Sequence, residues 1–451
     1  MRKPAPRLLI SGTGSGCGKT TVTCAVLSAL KNRGYDVASF KCGPDYIDPM
    51  FHSEVVGTRG TNIDLFFLDA EGVKSLFLKH AGDLNVIEGV MGYYDGVAFD
   101  NAEASGHHMA QALETPAVLV VNGYGMALSA AAVVRGFVEL RKPSGIKGVI
   151  FNHISSGVYP LLKSAVEAEC GVAVFGYLPD CPECALESRH LGLITAQEVK
   201  GLEQKLALLA AQAEKTIDLD GLIELMRAQA VLEAPERLVK RLGSVRIAVA
   251  RDEAFCFYYR DNLKLLEELG ATLVPFSPIR DGGLPDCDGL LLGGGYPELH
   301  AREISGNRSM LESIRRAVTG GLPTVAECGG FMLLTGQIGA YSMAGVIRTA
   351  CHDRQRLTRF GYAELTASQD SLLFNKGDRI RGHEFHHWDA EAPGEALTAR
   401  KPSGRAWKCA WVSDTLYAGY PHLYFCSNPH AAERFVLKCM ERKMRRGADG
   451  N

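Results

Sequence analysis

The sequence has no apolar run of the roughly 18 to 20 residues that a bilayer-crossing helix needs, which argues against a membrane-spanning protein. It has no charge imbalance either. Forty-nine Lys and Arg oppose 51 Asp and Glu for a net −2, so no global field favours nucleic acid or an anionic membrane as partner. An anionic substrate must be met by local basic clusters. No cysteine framework is present: thirteen cysteines are scattered without regular spacing, as expected of reduced thiols in a cytoplasm. Cys181 and Cys184 form a lone CxxC with no second pair nearby to complete a zinc site. The opening, MRKPAPRLLISGTGSG, lacks the apolar core and small-residue cleavage site of a secretion signal and reads as a first β-strand.

What is present is a globular composition, 46% hydrophobic and 22% charged, in 451 residues, enough for two domains. In the first half, apolar β-rich runs (7–12, 37–42, 84–90, 117–122, 148–153, 172–178) alternate with helical stretches such as 20–32 and 107–113. That alternation predicts an α/β fold with a parallel, doubly wound sheet over residues 1–195. Residues 196–243 are helical in period and read as a closing helix and connector. A second α/β pattern occupies 244–440, with strands expected at 245–252, 271–277, 289–295 and 322–328, and a basic tail follows at 441–451.

The run LLISGTGSGCGKTTVT sets a glycine-rich turn between a strand and a helix. Such a turn cradles phosphate oxygens with backbone N–H groups and the helix N-terminus. Gly12, Thr13, Gly14, Ser15, Gly16, Gly18, Lys19, Thr20 and Thr21 are the expected nucleotide contacts. Lys19 would neutralise the β/γ-phosphates and the Thr20 hydroxyl would ligate Mg²⁺. Gly12 stands one residue too early for GxxxxGK[ST], and Thr13 fills the usual glycine position; this longer loop resembles that of dethiobiotin-synthetase-like ATPases. An acid for the metal is expected at the end of another core strand, and Glu88 in DLNVIEG supplies it. Further acids, Asp45 and Asp48 in KCGPDYIDPMFH and Asp95 in EGVMGYYDG, should face the nucleotide, because strand C-termini line one crevice in such sheets.

The segments GPDYIDPMFH, NID (62–64), EGVMGYYDG and ESRHLGL (187–193) closely resemble the cobyrinate a,c-diamide synthase family, over nearly the whole chain. The resemblance implies that Asp45, Asp48, Glu88 and Asp95 handle metal and substrate carboxylate, with Thr20, Asp45 and Glu88 as the metal set. It places Asn152 against the adenine base and makes Arg189 and His190 candidates for substrate carboxylates.

In the second half, AECGGFMLL places Cys328 on a sharp strand-to-helix turn, where a helix dipole is expected to lower the thiol pKa. Gly329 N–H and the Gly294–Gly295 turn in LLLGGGYPEL could donate to an oxyanion, Gly295 and Gly329 being the preferred pair. The base could be His383, His386, His387 or His422. The segment resembles class I glutamine amidotransferases, in the divergent form fused to cobyrinate and cobyric acid synthases, and that resemblance selects His422. Where class I enzymes carry His-x-Glu, this chain reads His422-Leu423-Tyr424, so the third triad member is not identified. The GHEFH segment is expected near the substrate or the meeting of the two sites, away from the thiol chemistry.

The resemblance implies an ATP-dependent, glutamine-hydrolysing ligase, a domain of the P-loop ATPase lineage followed by a glutamine amidotransferase-like domain. Its expected substrates are ATP with Mg²⁺, glutamine and cobyrinic acid, amidated at the a and c carboxylates through an acyl phosphate; hydrogenobyrinic acid or nickel sirohydrochlorin are alternatives. No permanently bound cofactor is expected, and a homodimer is left open. A partition-type ATPase switch is the competing class. It requires a signature lysine early in the phosphate loop, where this chain has Ser11, Gly12 and Thr13, and it leaves Cys328 without purpose.

Overall fold

A computed structural model of the chain describes residues 1–184, 188–189, 192–193, 201–228 and 231–449. They form two compact units that divide between Arg237 and Leu238. No helix among the described residues is long and apolar enough to cross a membrane.

In the first unit seven strands, β1 (Arg7–Gly12), β2 (Val37–Cys42), β3 (Arg59–Ile63), β4 (Leu84–Gly92), β5 (Ala117–Asn122), β6 (Ile146–Asn152) and β7 (Ala173–Leu178), make one parallel sheet. Its order is β3-β2-β4-β1-β5-β6-β7. The chain winds outward from the central β1 in both directions, so the turn after β1 opens at the crevice where ligands of such sheets sit. β3 is the strand that the apolar pattern did not announce. Its RGTNI has little apolar content, and it lies at the sheet edge, where one flank needs no partner.

Helix α1 (Lys19–Asn32) packs its apolar residues against Leu8, Ile10, Val86 and Val118 of the sheet. Within the region read as a closing helix and connector, residues 202–227 form two helices of this unit. Helices α2 (Leu202–Thr216) and α3 (Leu219–Arg227) bury Leu206, Leu209, Ala210, Ala213, Leu222 and Met226 in the same core as α1. The i, i+3, i+4 spacing gives each helix one apolar face, and burying it is favourable only against a partner. Arg33 at the end of α1 reinforces the contact. It forks onto both carboxylate oxygens of Glu214 at 2.8 Å and reaches Asp220 at 2.6 Å.

The second unit holds strands β8 (Val245–Ala250), β9 (Ala271–Phe276), β10 (Gly289–Leu292), β11 (Thr324–Glu327), β12 (Arg359–Ala367), β13 (Arg379–His386), β14 (Leu416–Gly419) and β15 (His422–Leu423). A central sheet runs β9-β8-β10-β11-β14, parallel throughout, with Trp411–Ser413 antiparallel at the edge. Its strands alternate faces. Ala248, Leu290, Leu292 and Ala326 enter one core; Ile247, Val249, Leu291 and Val325 enter the other. A second, antiparallel sheet places β13 between β12 and β15.

Helix α4 (Gly329–Leu334) follows β11 directly, and helix α5 (Pro429–Asp449) closes the chain. The expected basic tail is thus mostly the last turns of α5, and its cations dock on backbone carbonyls of this unit. Lys443 donates to Ser244 O at 2.8 Å, and Arg446 to Cys287 O at 3.1 Å and to Asp286 at 2.9 Å.

Because Leu209 is 2% exposed between α2 and α1, Leu209→Ala should lower the stability of the first unit by about 2–5 kcal/mol in urea unfolding. A freely tethered connector would show no change.

Candidate active sites

The turn after β1 is held by its neighbours. Thr13 N–H donates to Val120 O at 3.2 Å, and Tyr93 N–H to Gly12 O at 2.8 Å, so strands on both sides fix the loop. Gly18 closes it at φ +93°, and a Cβ there would lie 1.9 Å from Asn152 Nδ2, a conformation and a space open only to glycine. Asn152 donates to Cys17 O at 3.2 Å and is 3% exposed, so in this structure it holds the loop from behind. Gly14, Ser15 and Gly16 face outward at the rim. Lys19 Nζ donates to Gly14 O at 2.9 Å, and burial lowers its pKa.

β1 pairs with β4, Ile10 beside Glu88, and this register brings the first turn of α1 to the end of β4. Thr20 Oγ1 donates to Glu88 Oε1 at 2.7 Å, the contact expected of a P-loop threonine and its acid. Lys41, which sequence reasoning did not select, and His52, which stands in the same loop as Asp45 and Asp48, complete the cluster. Lys41 on β2 lies 2.9 Å from Glu88 Oε1 and 2.5 Å from Asp48 Oδ2, and it also donates to Gly89 O at 3.3 Å. His52 Nε2 lies 3.0 Å from Glu88 Oε2. Glu88, Lys41, Asp48 and His52 are all buried. Burial alone would raise the Glu88 pKa, but Lys41 and His52 overcome it and hold the carboxylate ionised below its usual range. Burial, followed by the charge of Asp45, pushes Asp48 the other way. Burial works against the Lys41 charge too, yet Asp48 and Glu88 keep that ammonium protonated.

The other acids lie outside this ion-pair set, Asp45 close enough for its charge to act on Asp48. Asp45 is half-buried and accepts from Ile47 N–H at 2.8 Å. Asn62 fixes its loop by donating to Gly43 O and Asp45 O at 3.0 and 2.7 Å. Asp95 is exposed and closes its own turn, accepting from Gly92 N–H at 2.8 Å. Of Arg189 only the backbone is described, in a two-residue strand, and His190 lies outside the described residues.

In the second unit Cys328 follows β11 at φ +48°, ψ −104°, a backbone state that costs a non-glycine residue about 1–3 kcal/mol. Its N–H donates to Gly419 O at 2.8 Å, which ties the turn to β14. A strained strand-to-helix turn of this kind presents a nucleophile above the sheet. The expected lowering of the thiol pKa is not found. Cys328 is 6% exposed, and burial raises the thiol well above its usual value, Glu298 adding to the effect and Gly329 N–H opposing it. The one-turn-and-a-half α4 is too short to reverse that, so the resting sulfur keeps its proton. The two proposed oxyanion donors are neighbours: Gly295 N lies 3.2 Å from the place where Gly329 would carry a Cβ.

His422 on β15 is 2% exposed. A Cβ at Gly294 would lie 2.4 Å from its Cε1 edge, so only glycine admits the ring there. His383 stacks on one face, centroids 4.9 Å apart and planes 16° apart, because β13 and β15 pair His383 with His422. GHEFH therefore borders the candidate base, contrary to the expectation that it stands away from the thiol chemistry. Burial first, then His422, depresses the His383 pKa well below normal, and Tyr259 OH lies 2.8 Å from its Nδ1. His386 is paired elsewhere, with Glu384 at 3.0 Å and Trp388 O at 2.6 Å. Glu327, the residue before the thiol, places Oε2 3.7 Å from His422 Nδ1.

Fold and sites together define a two-part enzyme, a P-loop nucleotide-binding domain followed by a glutamine amidotransferase domain. Residues 8–194 match the CobQ/CobB/MinD/ParA nucleotide binding domain, and residues 246–430 the CobB/CobQ-like glutamine amidotransferase domain. The cobyrinate a,c-diamide synthase of Caldanaerobacter subterraneus subsp. tengcongensis is 40% identical over 96% of this chain and 98% of its own. The protein of that name from Salmonella typhimurium is 41% identical over 95% and 97%, and the one from Listeria innocua 40% identical over 94% and 97%. The chain belongs to the cobyrinate a,c-diamide synthase family.

Lys41→Met would strand two buried carboxylates. Breaking such a pair costs about 3–5 kcal/mol, so the variant should unfold at markedly lower denaturant than wild type. Lys41→Met with Asp48→Asn should recover part of the loss.

Proposed function

We propose that this chain converts cobyrinic acid to its a,c-diamide, using ATP to activate each carboxylate and glutamine as the nitrogen source. The observation that carries this reading is the Thr20–Glu88 contact beside the Lys41–Asp48 cluster, on one chain with the Cys328 turn and His422.

In the first unit, loop N–H groups and Lys19 bind the ATP phosphates. The paired oxygens of Thr20 and Glu88 suit a hard divalent cation that takes its other ligands from phosphate and water, as Mg²⁺ does. When bound, Mg²⁺ neutralises phosphate charge. Asp45 and Asp48 face the substrate. A substrate carboxylate oxygen attacks the γ-phosphorus and ADP leaves, giving an acyl phosphate. Ammonia then attacks the carbonyl carbon, the C–O bond to phosphate breaks, and the amide and inorganic phosphate form.

In the second unit, His422 takes the Cys328 proton as sulfur attacks the glutamine amide carbon. A buried, protonated thiol needs such a base at the moment of attack. Gly295 and Gly329 N–H hold the oxyanion, ammonia leaves with the proton from His422, and water hydrolyses the thioester to glutamate.

Incubation with ATP, Mg²⁺, glutamine and, separately, cobyrinic acid, hydrogenobyrinic acid and nickel sirohydrochlorin, followed by mass analysis, should give a diamide from cobyrinic acid. Product from one of the others alone would assign a different macrocycle. Cys328→Ala should abolish glutamine-driven amidation and keep amidation with ammonium salts; equal loss of both would refute the division of labour.

A further inference from the structure

The glutaminase reading leaves His422 without the carboxylate that would fix its tautomer, since the sequence offers Leu423 and Tyr424 where a His-x-Glu order would supply it. We propose that Glu327, the residue immediately before the nucleophile, is that positioning residue. The inference rests on the assignment of Cys328 and His422 made above.

Three observations place it there. Glu327 is the last residue of β11 and pairs with Gly419 of β14, three residues before His422, so the parallel register delivers the carboxylate to the base. Leu423 N–H donates to Glu327 Oε1 at 3.1 Å, which anchors one oxygen on the backbone next to His422. The second oxygen, Oε2, stands 3.7 Å from His422 Nδ1, with both side chains nearly removed from solvent. At ion-pair distance the carboxylate charge favours the proton on Nδ1 and leaves Nε2 as the proton acceptor. It also stabilises the imidazolium formed when the thiol is deprotonated. The His383 ring stacked on one face and the Gly294 turn against the Cε1 edge limit how far the His422 ring can move, so its Nδ1 stays turned to Glu327.

The role differs from the usual triad in its connectivity. The carboxylate comes from the strand that carries the nucleophile, not from the strand that carries the base. A change at Glu327 therefore acts on the thiol turn and the imidazole together.

The test is Glu327→Gln and Glu327→Asp in the full chain, with Cys328→Ala in parallel. Glutamine hydrolysis and ammonium-driven amidation are each measured across pH. Glu327→Gln should lower glutamine kcat on the order of 10²-fold, less than the roughly 10⁴-fold lost with a directly hydrogen-bonded triad carboxylate. The titratable groups placed against His422 are Glu327 from β11 and His383 from β13. Removing the Glu327 charge should move the acid limb of glutamine kcat/KM to lower pH, whereas Glu327→Asp should leave that limb in place. Ammonium-driven amidation should persist in both. Unchanged glutamine kinetics and pH profile in Glu327→Gln, beside an inactive Cys328→Ala, would overturn this inference alone. Equal loss of glutamine- and ammonium-driven activity would reduce Glu327 to a structural part. Glutamine hydrolysis surviving in Cys328→Ala would overturn the thiol reading and this inference with it.

Discussion

A parallel strand must leave its sheet at the C-terminal end, and whatever follows it is set beside the ends of its hydrogen-bonded neighbours. Both candidate sites are consequences of that constraint. In the first unit β1 runs beside β4, so the loop that begins the first helix meets the acid that ends the other strand. In the second, β11 runs beside β14, so the thiol turn meets the chain that leads to His422. The register of two strand pairs does the assembling, and the apolar cores on either face of each sheet hold that register.

What each site gains in position it loses in local comfort. Glu88, Asp48 and Lys41 are taken out of water, and they are tolerable only as a mutually compensated set with His52 beside them. Cys328 holds a left-handed backbone that its side chain disfavours, fixed by its bond to Gly419 and by the packed α4. The burial that shapes the turn also raises the thiol pKa.

Much of this was legible in the chain. Alternating apolar runs placed six of the seven strands of the first sheet within a few residues, since a strand buried on both faces must be apolar throughout. GKTT after a strand and ECGG after another marked two strand-to-helix turns, because a tight turn at a packed strand end admits only small residues. Less legible were residues whose meaning depends on a neighbour distant in sequence. Lys41 is one lysine in an apolar strand, and only the arrival of Glu88 and Asp48 makes it a counter-ion. The helices at 202–227 share their composition with any connector, and only their fit onto α1 assigns them to the first unit.

The sequence by itself determined the fold class, the phosphate-loop segment and the family, and it singled out Cys328 at its turn. Those signals are local: a period, a glycine spacing, a residue at a turn. Tertiary structure alone decided which acid answers which base. It set Asp95 on its own turn, drew Asp48 to Lys41, brought His383 against His422 and aimed Glu327 at the same ring. Charge pairing depends on distances of a few ångströms between residues that can lie far apart along the chain, as Glu327 and His422 do, and nothing in a linear pattern encodes such a distance until the strands have found their register.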